Sequence, residues 1–317
     1  MNRQVSPKQV ALALGVSEAS VKRWCDQGLM SPARTAGGHR RIAIHDVVRF
    51  ARSRGNPLMR PDVLGLPAVS GGGELATSRA VDEAYEILKD GDETRLLRLA
   101  INLYLGRRTI LDIVERVFID AWSRIGDGWQ DGRVEIFEER RGVEITLAAL
   151  RDLGHILTPP EDGAPVAVGA TFPGDPYALP LAMGTVVLRE SGIDAESFGA
   201  GLPADAIAAA VMKRRPALLW LSISTAAPTL KADLAVVMKA AKSVGAAVAL
   251  GGRAMTAKDA PAGATWCATL SELVDFGRGL AKAPEPPAPP AVAVERPKRR
   301  EEAPKPRNRD RGTPPTA

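Results

Sequence analysis

Apolar and polar positions divide the 317-residue chain into five stretches. Ser6-Pro7-Lys8-Gln9 offers an N-cap, a proline suited to the first helical turn and a glutamine that can reach back to the cap, so a helix is predicted from Pro7 to about Leu14, stopped by Gly15. Ser17 caps a second helix, in which Val21 and Trp24 form the buried face while Glu18, Ser20, Lys22 and Arg23 stay outside. Two short helices about a glycine turn predict a helix-turn-helix. Arg34 to Ile42 reads as a β-wing turning at Gly37-Gly38, and a helix from His45 or Asp46 through Arg52 follows. Pro57, Pro61, Pro67 and Gly71-Gly72-Gly73 predict a flexible linker.

Beyond it, Leu96, Leu99, Leu103 and Val114, Val117, Phe118, Ala121 recur at helical spacing, with Gly91 and Gly106 as breaks, which predicts about four helices up to Ile156. From Pro165 short β-runs and helices alternate: Val166–Thr171, Leu179–Ser191, Ala195–Phe198, Ala204–Lys213, Leu218–Ser222, Leu230–Ser243, Ala246–Leu250, a strand near Thr265–Cys267, and Leu270–Leu280. That alternation predicts a parallel, doubly wound α/β sheet. The expected architecture is multidomain: a winged helix-turn-helix over 1–56, a linker over 57–74, a four-helix bundle over 75–160, the doubly wound sheet over 161–281, and a disordered, proline-rich, basic tail over 282–317.

Charge sharpens this division. Residues 1–56 carry ten Lys/Arg against three Asp/Glu and residues 281–317 nine against five, which leaves the body acidic although the chain is +5 overall. A basic module on an acidic body suits a nucleic-acid reader joined to something else, because phosphate neutralisation needs concentrated Lys/Arg. The basic run Pro297-Lys298-Arg299-Arg300 reads as solvated tail. Two cysteines, Cys25 and Cys267, match no metal or redox spacing, and no apolar run approaches the roughly 20 residues of a membrane span. A cytoplasmic protein without membrane association is expected. No Ser-His-Asp, phosphate-loop or paired-carboxylate arrangement stands out, so no enzyme is expected.

Val10 to Arg41, with Leu14-Gly15-Val16-Ser17, Val21-Lys22-Arg23-Trp24, Gly28-Leu29 and Gly37-Gly38-His39-Arg40-Arg41, resembles the winged helix-turn-helix of MerR-type transcription regulators. The resemblance implies a double-stranded DNA operator, with Ser20, Lys22 and Arg23 facing the major groove and Arg34, His39, Arg40 and Arg41 on the wing. Exposed arginines and lysines on such elements reach base edges or phosphates.

The remaining body resembles the four-helix cap and Rossmann-like domain of cobalamin-binding modules, and the whole resembles the light-responsive, cobalamin-dependent repressors. Trp129 and, after nine intervening residues, Glu139 match the cap motif of those sensors, while Arg140 replaces its histidine and Gln130 replaces the histidine that follows the tryptophan. In the loop after the first strand, Asp175-Pro176-Tyr177 places Tyr177 where the resemblance implies a cobalt-ligating histidine. Ser222-Ile223-Ser224 and Gly251-Gly252 match the small-residue positions along which a nucleotide tail slides. Three alternatives stay open, the second placed just ahead of the first and the third last: a cobalamin bound without a histidine ligand, its own base on cobalt; another tetrapyrrole, a bilin such as biliverdin ahead of haem; or an empty module kept for dimerisation. Trp129, Tyr177, Arg140 and Arg141 could wall a bilin and pair its propionates, and Cys267 could attach it or be a buried structural thiol. His155, where cap meets sheet, could ligate haem iron or have no ligand at all. The resulting expectation is a DNA-binding repressor and photoreceptor whose chromophore changes its oligomeric state, dimer or tetramer. The alternative is a ligand-independent DNA-binding protein with a vestigial body.

Overall fold

The computed structural model describes residues 4–66 and 77–281. The basic run at Pro297–Arg300, the rest of the tail and the glycine run of the linker lie outside them.

The head begins with β1 (Gln4–Val5), α1 (Pro7–Leu14) and α2 (Glu18–Asp26). Both expected caps form: Ser6 Oγ accepts the Gln9 N–H while Gln9 Oε1 accepts the Ser6 N–H, and Ser17 Oγ accepts the Ser20 N–H. Gly15 ends α1 at φ +67°, a backbone state open to glycine at little cost. The wing is β2 (Pro32–Arg34) with β3 (Arg40–Ala43), and β1 adds to its other edge. The third helix, α3 (Ile44–Arg54), stacks Phe50 on Trp24 with ring centroids 4.6 Å apart.

The expected flexible linker is corrected over its described part. Leu58, Leu64 and Leu66 are buried, a 3-10 turn spans Pro61–Leu64, and the Arg60 N–H donates to the Ala13 carbonyl of α1. Three buried leucines outweigh the proline content, which limits backbone shape but not packing.

The bundle comprises α4 (Thr77–Asp90), α5 (Glu93–Leu105), α6 (Ile110–Ile113) running through a π-helical segment at Val114–Phe118 into α7 (Ile119–Gln130), and the 21-residue α8 (Ile136–Ile156). The α/β domain alternates β4 (Val166–Ala170), α9 (Leu179–Glu190), β5 (Asp194–Ser197), α10 (Ala204–Arg214), β6 (Leu218–Ser222), α11 (Leu230–Val244), β7 (Ala247–Gly251), β8 (Ala264–Trp266) and α12 (Leu270–Ala281). All strands are parallel in the order β5-β4-β6-β7-β8. The two faces pack separately: Ala167, Trp220 and Ala249 face α9 and α12, and Val168, Leu219 and Leu221 face α10 and α11. The sheet is therefore doubly wound, and its winding reverses between β4 and β6, where open α/β sheets leave a crevice outside the strand ends.

Candidate functional site

Two regions carry candidate chemistry. On the head, Lys22 and Arg23 project from α2 into solvent, with Lys22 paired to Glu18 at 2.9 Å. Ser20 is half-buried, its hydroxyl 3.0 Å from that of Ser17. On the wing Arg34 and His39 are exposed, and Arg34 donates to the Gly38 carbonyl. Arg40 is half-buried and donates to the Lys22 carbonyl at 3.2 Å and to Asp26 Oδ1 at 2.7 Å, so it braces the wing against α2; Arg41 beside it is half-buried too. Arg40→Ala is therefore expected to weaken DNA binding about tenfold by loosening the wing, with ligand uptake unchanged. Fluorescence anisotropy with labelled DNA checks this, and an unchanged affinity would remove Arg40 from the reading surface.

The second region is a cleft of about 1520 Å³ between the bundle and the C-terminal ends of the strands. It is larger than the roughly 300–1,000 Å³ of ordinary ligand pockets and suits a macrocycle. Trp129, Glu139 and Arg140 line its bundle side, and Tyr177, Ser222, Ser224, Gly251, Gly252 and Cys267 line the sheet side. Helix α7 carries Trp129 and the first turns of α8 carry Glu139 and Arg140, so one helix-helix turn sets the roof. Trp129 remains 52% exposed at the rim.

Asp175 does not line the cleft. It is buried beneath the floor, where its carboxylate accepts N–H bonds from Tyr177, Ser224 and Thr225 and so joins the loop after β4 to the loop after β6 across the winding reversal. Gly252 completes this crossing at φ +114°; a Cβ there would lie 2.4 Å from the Ile223 carbonyl oxygen. Arg253, which follows the glycine pair, stands over the Tyr177 ring at 4.7 Å. Sequence reading missed Arg253, Arg116 and Trp122, all of which line the cleft. Only the first had a local signal, in its place directly after Gly251-Gly252.

Among the described residues, no histidine lines the cleft. His39 is on the wing, while His45 and His155 border a separate cavity of about 260 Å³ where the head meets α8. Burial holds His45 below the usual histidine range. No group of three or more metal-binding side chains occurs among the described residues.

Cys267 is buried, and desolvation, with a smaller contribution from Glu272, pushes its thiol up to about 11. A thiol held protonated is a weak nucleophile, which weighs against covalent attachment of a chromophore. Because the folded value exceeds the unfolded one, the thiol contributes stability below about pH 9, lost as pH rises toward 11. Denaturant melts across that window should show an alkaline loss that Cys267→Ala reduces.

Head and body are joined through packed side chains. Arg52 of α3 lies 3.7 Å from the Tyr104 ring centroid on α5 and donates to the Arg108 carbonyl. Within the body, Glu190 of α9 joins the α/β domain to the bundle by accepting the Ile110 and Leu111 N–H groups at the start of α6, with burial raising its pKa despite those bonds. Helix α8, about 30 Å long, borders the cleft at one end and α3 near the other.

This geometry defines a helix-turn-helix head on a bundle-roofed, doubly wound ligand domain. Residues 5–55 match the helix-turn-helix domain family, and residues 80–153 match the B12 binding domain family. The monomethylamine corrinoid protein of Methanosarcina barkeri shares the fold at a TM-score of 0.52 and 14% identity, over 65% of this chain and 100% of that one. Weaker similarity links the methanol:cobalamin methyltransferase complex MtaBC of the same organism (TM-score 0.35, 15% identity, 66% and 82% covered). A cobalamin-binding protein from Desulfitobacterium hafniense DCB-2 is comparable (TM-score 0.34, 17%, 63% and 98% covered). No curated protein matches the chain. No helix among the described residues is long and apolar enough to cross a membrane.

Proposed function

We propose that this chain is a DNA-binding transcriptional repressor whose head is controlled by a tetrapyrrole held in the cleft, with light as input and a change of oligomeric state as output. The observation that carries this reading is the union, in one chain, of a helix-turn-helix head with a macrocycle-sized cleft at the winding reversal of a sheet roofed by a bundle matching the B12 binding domain family. Cobalamin is the leading ligand. Trp129, Glu139 and Arg140 would cover one face of the ring, with Tyr177, Ser222, Ser224 and the glycine pair beneath the other. When bound, a cobalamin would supply a chromophore that absorbs visible light and a redox-active metal. With no imidazole among the described residues that line the cleft and a phenol at Tyr177, the side chains fit the ring but not the histidine-ligated form.

Biliverdin is the second reading, favoured by Arg116, Arg140 and Arg253 around the cleft as partners for two propionates. Ser20, Lys22, Arg23, Arg34, His39 and Arg41 would contact DNA, with Arg40 holding the wing. Two heads per operator require a dimer or tetramer, and a ligand shifts operator occupancy only by its differential affinity for the assemblies.

The test incubates the full chain separately with cobalamins, haem and biliverdin, records spectra in the dark and after illumination, and measures affinity for DNA selected from a random-sequence pool. A retained cobalamin band, altered by light together with DNA affinity, is expected. DNA binding with no retained band would leave the vestigial-body reading. Trp129→Ala should weaken ligand retention about tenfold or more without changing DNA binding in the ligand-free chain.

A further inference from the structure

At the winding reversal a groove of small side chains runs inward from the cleft along the sheet face that packs on α9. Ser222 and Gly251 lie at its mouth, and Ala249, Gly169 and, from α9, Gly184 lie deeper. One large side chain occupies it. Trp220, paired in register with Gly169 and 4% exposed, packs closely against both glycines: a Cβ on Gly169 would be 2.1 Å from Cε2 of the indole, and one on Gly184 would be 3.0 Å from Nε1. The indole N–H is buried and has no hydrogen-bond partner. The absence of side chains at the two glycines thus leaves room for the indole, which fills it without satisfying its own polar atom, an arrangement that costs stability.

We infer that Trp220 sets the ligand class of the cleft: by filling the groove between sheet and α9 it admits a planar macrocycle and excludes any appendage that would pass beneath the ring into the domain. The inference rests on the corrinoid reading of the cleft. The indole is a fused bicycle of nearly the size of a benzimidazole, so the base carried on the nucleotide tail of cobalamin has no vacant place in the groove. With no imidazole lining the cleft to replace it, that base stays on cobalt. Trp220 acts as a specificity-determining residue, and its removal should leave a ring-shaped cavity, since apolar cavities made by truncation persist and take up aromatic guests.

The test compares methylcobalamin with methylcobinamide, which lacks the nucleotide tail, in the dark on the full chain, wild type, Trp220→Ala and Trp220→Phe. Wild type is expected to bind the two within a few-fold of each other and to hold methylcobalamin with the absorption spectrum of the base-on form. Trp220→Ala should shift the preference at least about tenfold toward methylcobalamin and convert its spectrum to the base-off form. Trp220→Phe, which still fills the groove, should behave as wild type. Free 5,6-dimethylbenzimidazole should raise the Tm of Trp220→Ala and leave wild type unchanged. A base-off spectrum in wild type overturns the inference without reference to any variant, and so does an unchanged preference in a folded Trp220→Ala. Failure of wild type to retain either corrinoid overturns the corrinoid reading and the inference with it, an outcome distinct from retention with the base detached.

Discussion

Asp175→Ala is expected to cost about 2–4 kcal/mol and to abolish ligand retention while the head still binds DNA. The carboxylate is 1% exposed and accepts three backbone N–H groups from two loops, so truncation leaves those donors without their partner and unfastens the floor of the cleft. Urea melts monitored separately at the sheet domain and at the head, together with spectra after incubation with a cobalamin, check both halves. Asp175→Asn, which keeps one acceptor oxygen, should lose less. Equal ligand retention in wild type and Asp175→Ala would show that the floor does not depend on the crossing.

The second large effect is a coupling. Gly169→Ala is expected to destabilise the domain by about 3 kcal/mol, because the new methyl would fall within 2.2 Å of two indole carbons of Trp220. Placing Trp220→Ala in the same chain should return much of that loss, since the methyl then enters the space the indole has left. The double-mutant cycle should give an interaction energy above about 1 kcal/mol. Additive effects would place the indole elsewhere than between β4 and α9.

Most elements were legible in the sequence because their signals are local. Ser6, Gln9 and Ser17 cap their helices through bonds reaching three residues along the chain, and each element of the α/β domain lies within about one residue of its expected limits. The π-helical segment at Val114–Phe118 had no such signal, because the apolar spacing of Val114, Val117 and Phe118 suits an α-helix equally well. The packed stretch around Leu64 was misread for a related reason: proline content reports backbone preference, whereas burial depends on the neighbouring surface of α1.

The candidate site was legible in part. Trp129, Glu139, Tyr177 and the serine and glycine runs were singled out from motif positions, and the fold gathers them around one cleft. Asp175 came from the same motif but works below the floor, and Arg40 came from the wing pattern but is tied to Asp26. Trp220 drew no notice beyond its place in an apolar strand, since Leu218-Leu219-Trp220-Leu221 reads as a strand buried on both faces.

The sequence by itself determined the order and type of most elements, the basic head, the parallel α/β class and the absence of histidine from the cap and loop motifs. Each is a property of neighbouring residues or of composition. Only the tertiary structure decided that Asp175 ties two loops 49 residues apart, that Arg52 stacks on Tyr104, and that Trp220 lies in a space left by Gly169 and Gly184. Those contacts depend on the register of β4 against β6 and on the seating of α9, α3 and α5. Register and seating follow from the packing of the whole core rather than from any local preference of the chain.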